Sequence, residues 1–89
     1  MIKAEFCFSL GEFSAAIMSD RQNNVSYSTL RNQILEISYT EDLPRELTEI
    51  FITILDKAFT VPIQKTPILK KKIITEFSNM VINSCFETI

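Results

Sequence analysis

The chain has no histidine, no tryptophan and a single glycine, Gly11, among its 89 residues. Without histidine, neither a Ser–His nor a Cys–His nucleophile pair can be assembled. The common His/Cys zinc sets are excluded with them. One glycine cannot build a glycine-rich phosphate loop. With only three prolines beside it, it also leaves too few turn formers for an all-β fold. Paired carboxylates for acid–base work remain the one catalytic option. The acids here fall on polar helix faces, where a solvated surface is the ordinary outcome, so the expectation is a protein that is not an enzyme, with no cofactor and no metal.

Cysteine is scarce too. Cys7 and Cys85 stand near opposite ends of the sequence with no CxxC spacing, which reads as two free thiols in a cytoplasmic protein; a bridge would require the two ends to meet. No apolar run approaches the ~18–20 residues of a membrane span, so no membrane partner is expected. No secretion signal is read at Met1-Ile2-Lys3, because Glu5 and Glu12 interrupt the apolar stretch that would follow.

What is present is 46% hydrophobic and 22% charged residues, the composition of a folded domain rather than a disordered chain. The length suits one domain. Abundant Ile, Lys, Asn, Thr, Ser and Phe are what AT-rich coding DNA yields, a hint of a bacterial origin.

The most regular stretch is Pro44–Phe59, where Leu47, Ile50, Phe51, Ile54, Leu55 and Ala58 follow the helical period. Pro44 suits a first helical position. With Ile52 widening the stripe, this helix is expected to be the central one, with the rest of the chain packed around it. Residues 2–8 read two ways. Ile2, Ala4, Phe6 and Phe8 alternate like a short strand, yet Ile2, Phe6, Leu10, Phe13 and Ile17 form a helical stripe. Since no second strand is evident, a helix is expected, and Ser9-x-x-Glu12 offers a capping box that would start it at Leu10. A polar loop at 19–26 leads to a helix over about Tyr27–Tyr39, capped by Ser26 or Ser28, with Tyr27, Leu30, Ile34 and Ile37 inward. Thr66 and Pro67 open a last helix that runs to about Glu87, with Leu69, Ile73, Phe77, Met80, Val81 and Ser84 on its inner stripe. The fold class expected is therefore all-α, one compact domain of four helices. Phe8 falls off the first stripe, and Phe86 is expected to be partly exposed.

Two charge clusters are the candidate sites. Glu36, Glu41, Asp42, Glu46 and Glu49 lie within fourteen residues, against Arg45 alone, with Tyr39 beside them. Their plain use is solubility and, for Asp42 and Glu46, a favourable position at a helix N-terminus. Their functional use would be to select a basic protein partner. The second cluster, Lys65, Lys70, Lys71 and Lys72, could contact phosphate. Three consecutive lysines spread around a helical turn, however, and no arginine is available among them to read bases. The net charge of −2 also disfavours nucleic acid.

These features point to a non-catalytic binding protein. The best-fitting class is a small acidic bacterial immunity or antitoxin-like protein that occludes a nuclease-type toxin through its carboxylates. The alternatives are a dimeric nucleic-acid-binding regulator using the lysines, and a structural or chaperone-like subunit. A homodimer is compatible with each.

Overall fold

The computed structural model describes residues 3–88. Four helices, α1 (Lys3–Gln22), α2 (Tyr27–Thr40), α3 (Arg45–Ala58) and α4 (Pro67–Thr88), make up the architecture, and no strand occurs among the described residues. The all-α, four-helix expectation holds. Residues 3–8 are helical, so the capping box is not used as one: Ser9 and Glu12 lie inside α1. Met1 and Ile2 lie outside the described residues.

Local chemistry accounts for the boundaries. The Ser26 hydroxyl accepts from the Thr29 amide at 3.2 Å, and Thr66 Oγ1 accepts from the Leu69 amide at 3.2 Å, so α2 and α4 each have a side-chain N-cap. Pro44 is the N-cap residue of α3 and makes no side-chain cap; its carbonyl accepts from Leu47 and Thr48. α1 and α2 end the same way. Asn24 (φ 64°) and Asp42 (φ 49°) take left-handed backbone. The following amides, of Val25 and Leu43, reach back to the carbonyls of Asp20 and Ser38 at 3.0 Å each. These six-to-one bonds are Schellman closures.

The expected centre of the fold is corrected. Ile54, Leu55 and Ala58 of α3 are buried, but Leu47 and Phe51 are only half-buried and Ile50 is exposed. The interior helix is α1, which lies against both α4 and α3, while α2 packs on α3. The spatial order is thus α4–α1–α3–α2. α1 buries Cys7, Leu10, Gly11, Ser14, Ile17, Met18 and Gln22, a stripe rotated from the one through Phe6 and Phe13, both half-buried. Small residues let α4 come close: the Ser78 hydroxyl donates to the Gly11 carbonyl at 2.9 Å, and a Cβ on Gly11 would meet the Ile82 side chain at 2.5 Å. Buried Ser14 satisfies its own hydroxyl on the Leu10 carbonyl at 2.7 Å.

Paired contacts set the directions. Cys7 lies opposite Cys85 and Gly11 opposite Ser78, so α1 and α4 are antiparallel. Phe13 stacks on Phe51 and Arg21 covers Phe59, so α1 and α3 run roughly parallel. The long loop after α3 is tied to the end of α1. Gln22, 1% exposed, donates to the Pro62 carbonyl at 3.1 Å and accepts from the Gln64 amide at 2.7 Å.

The free-thiol expectation is also overturned. Cys7 and Cys85 form a disulfide, with Cα atoms 5.5 Å apart and a separation of 78 in sequence. Antiparallel pairing of the first and last helices brings the two together, a tertiary fact that their spacing along the chain conceals. In the chain-entropy picture a loop this long stabilises by roughly 4 kcal/mol. That is a large share of the ~5–15 kcal/mol net stability of a folded domain.

Candidate functional site

The hairpin of α2 and α3 positions the acidic cluster. Ser38 faces α3 and receives a hydrogen bond from Thr48 Oγ1 at 2.9 Å. At the other end, Tyr27 donates to the Asp56 carboxylate and its ring meets Phe59 edge-on at 5.4 Å. That hydrogen bond, with some desolvation and the Asp56 charge, raises the Tyr27 pKa above the usual 10.0; Arg31 opposes the shift. Pinned at both ends, the hairpin thrusts its connection, 41–44, outward.

All six acidic-site candidates, Glu36, Tyr39, Glu41, Asp42, Glu46 and Glu49, are exposed. They do not form one surface. Glu41 and Asp42 occupy the hairpin tip, and Glu46 follows in the first turn of α3. Glu49 turns to Arg45, whose Nε lies 3.2 Å from its carboxylate. Arg31, one helix away, shares a shallow groove with Arg45, Glu49 and Leu35. This second arginine was invisible in the linear stretch and offsets the charge there. Glu36 lies two residues before inward-facing Ser38, which turns it to the far side of α2. Tyr39 is 88% exposed, and Leu35 and Ile37 of the same helix are exposed with it. Ile37 had been expected inward; α2 rests mainly on α3 and its last turns extend past the core.

Asp42 makes no side-chain cap to α3. It closes α2, where the helix end is already negative. Its backbone conformation favours glycine or asparagine, so an aspartate there is not the choice stability alone would make.

The lysine cluster is dispersed. Lys70 is half-buried, whereas Lys65, Lys71 and Lys72 are exposed. Lys72 lies 3.9 Å from Glu76 on the next turn. Among the described residues no three His, Cys, Asp or Glu side chains converge as metal ligands would, and no helix is long and apolar enough to cross a membrane. At the opposite end of the molecule from the loop after α3, exposed Phe8 meets Phe86 edge-on at 5.8 Å, and Lys3 covers Phe86 at 5.9 Å. The surplus aromatics of the sequence thus partner each other.

Reading by periodicity missed a larger feature. α3 and α4 both lie on α1 but barely touch each other. Between them runs an open, mainly apolar groove of about 540 Å³, with Phe6 and Leu10 as its floor and Glu46 and Glu49 on its rim. Its exposed apolar residues, Ile50 and Met80, lie on the stripes that the helical period reads as inner, so spacing along the chain gave no signal that this part of each stripe stays uncovered.

Family models, curated proteins and solved structures were compared with the chain, and none matches it.

Proposed function

We propose that this is a non-catalytic binding protein that meets a basic protein partner through the α2–α3 hairpin tip, as a small acidic immunity or antitoxin-like protein would meet a nuclease-type toxin. One observation carries the reading. Glu41, Asp42 and Glu46 are exposed together at the tip, and none forms an ion pair among the described residues. Three unpaired carboxylates on the hairpin connection and the helix turn that follows it raise the rate of encounter with a positive surface and discriminate against negative ones. Tyr39, Ile37 and Leu35 add apolar area beside the charge, the mixture that interface cores and rims use.

Nucleic-acid binding through Lys65, Lys70, Lys71 and Lys72 is disfavoured by their dispersal and by the Lys72–Glu76 pair. Cytoplasmic residence, the expectation from the sequence, sits against the Cys7–Cys85 bridge, because such bonds persist in oxidising surroundings. The bridge supports an oxidising compartment as the place of action.

The test is charge reversal. Glu41→Lys, Asp42→Lys and Glu46→Lys combined should weaken the complex with a partner isolated from the encoding organism by roughly a hundredfold, with circular dichroism unchanged. Equal affinity of the triple variant and the parent would end the proposal.

A further inference from the structure

The groove between α3 and α4 shares Glu46 with the hairpin tip, and that junction carries the proposed function further. We infer that the groove receives an amphipathic helix of the partner, with basic residues on the side that faces Glu46 and Glu49. The inference rests on the protein-binding reading above and specifies what element of the partner is held.

The shape comes first. α1 supplies a floor through Phe6 and Leu10, and α3 and α4 form two walls that scarcely touch. The α3 wall runs from Glu46 to Lys57, which at 1.5 Å per residue is about 16 Å, or three helical turns. A trough of that length with helical walls accepts another helix by ridges-into-grooves packing. The lining is right for it as well. Ile50 and Met80 are 38% and 43% exposed, although each belongs to an apolar stripe that is buried elsewhere along its helix. An apolar face in such a trough is the helix-in-groove mode of recognition, read by anchors three and four residues apart.

Charge selects among occupants. Toward the start of α3 the rim carries Glu46, which forms no ion pair among the described residues, and Glu49, which shares its charge with Arg45; one cation, Lys57, stands at its far end. Glu41 and Asp42 extend the negative surface beyond the groove at that same end of α3. A helix presenting lysine or arginine there gains opposite charge along the rim and at the tip. An acyl chain or another apolar ligand would use the floor and leave the carboxylates idle. A second copy would bring its own Glu46 and Glu49 toward the surface where negative charge already collects.

The probes are three synthetic helical peptides of about four turns, identical on the apolar face and carrying lysines, glutamines or glutamates on its flank. Each is titrated into the isotope-labelled full chain, with the disulfide intact, and amide shifts are followed by NMR. The expected result is tightest binding of the lysine peptide, with shifts at Phe6, Ile50, Thr53, Met80 and Ser84. Glu46→Lys with Glu49→Lys should weaken that peptide roughly tenfold and favour the glutamate peptide. Thr53→Trp, at an exposed lining position, should block all three peptides while leaving every carboxylate in place. Binding of none of the peptides, equal binding of all three, or shifts confined to Glu36–Asp42 would overturn the inference. So would a concentration-dependent dimer, or a fatty acid, that occupies the same amides in competition with the lysine peptide. The native partner separates this inference from its foundation. If it tolerates Thr53→Trp but not the triple reversal at the tip, the groove falls and the acidic surface stands. If it tolerates both, both fall.

Discussion

Asp42 is the residue at which stability and contact pull apart. Its φ of 49° places it where a Cβ is unfavourable, and its charge sits at the negative end of α2. Asp42→Gly should therefore stabilise the fold by about 0.5–1 kcal/mol and raise Tm by a few degrees in a domain of this size. Asn24→Gly, at φ 64°, is the control: it removes no charge from a position that asparagine already suits, and thermal denaturation should show a smaller rise. In the proposed complex Asp42→Gly should weaken binding, so the variant would be more stable and less active. Tyr27 gives a second residue-level outcome. Its pKa is raised chiefly by the hydrogen bond to Asp56, so the folded state favours the protonated phenol. The resulting stabilisation is complete below the unfolded value of 10.0 and disappears as pH climbs through the higher folded value. The Tyr27 ring-carbon resonance should titrate at lower pH in Asp56→Asn than in the parent, and the alkaline loss of stability, which starts from the same unfolded value, should be smaller.

At the scale of elements, the close approach of α1 and α4 decides the architecture. Gly11→Ala tests it, because two effects compete. Helix propensity favours alanine by about 1 kcal/mol, while an overpacked contact costs about 1–3 kcal/mol. The new Cβ would lie 2.5 Å from both Cγ1 and Cδ1 of Ile82, too close for a small rotation to relieve, so packing should win. Denaturant titration should show a net loss of roughly 1 kcal/mol, and Ile82→Val in the same chain should recover part of it. This contact also marks where sequence reading stops. Helix existence was legible from period and caps: Ser26, Thr66 and Pro67 begin α2 and α4 as expected, and the apolar spacing of each helix announced it. Which helix lies innermost was not legible. The inner stripe of α1 passes through Gly11, Ser14 and Gln22, which hydropathy does not count as interior, though close backbone approach and a buried loop anchor require them. α3 drew attention because it is the most evenly amphipathic, a property of helices with one solvated side. Ser9-x-x-Glu12 looked like a helix start because a capping box is a local pattern, and the packing of α1 on α4 carries the helix through it.

For the molecule as a whole, the arrangement is flattened. Its extents are 37 × 28 × 16 Å, with a radius of gyration of 13.0 Å against about 12 Å for a typical fold of this length. A row of helices in the order α4–α1–α3–α2 leaves α3 and α4 each with a side unmatched, and the apolar groove is the consequence. The acidic surface was legible as a cluster in sequence, but its division was not. The hairpin turns Glu36 away, pairs Glu49 with Arg45, brings Arg31 in from α2 and leaves Glu41, Asp42 and Glu46 as the free group. Nothing along the chain announced the Cys7–Cys85 link, which follows from the antiparallel pairing of the first and last helices and holds the groove's floor and one wall together.

The central claim is that exposed carboxylates at the hairpin tip choose the partner. The most direct measurement is calorimetric titration of the native partner with the parent and with Glu41→Lys/Asp42→Lys/Glu46→Lys at two salt concentrations. The account predicts that the parent's affinity falls as salt rises, and that the triple variant binds roughly a hundredfold more weakly with little salt dependence left. Equal affinities, with the same response to salt, would contradict it.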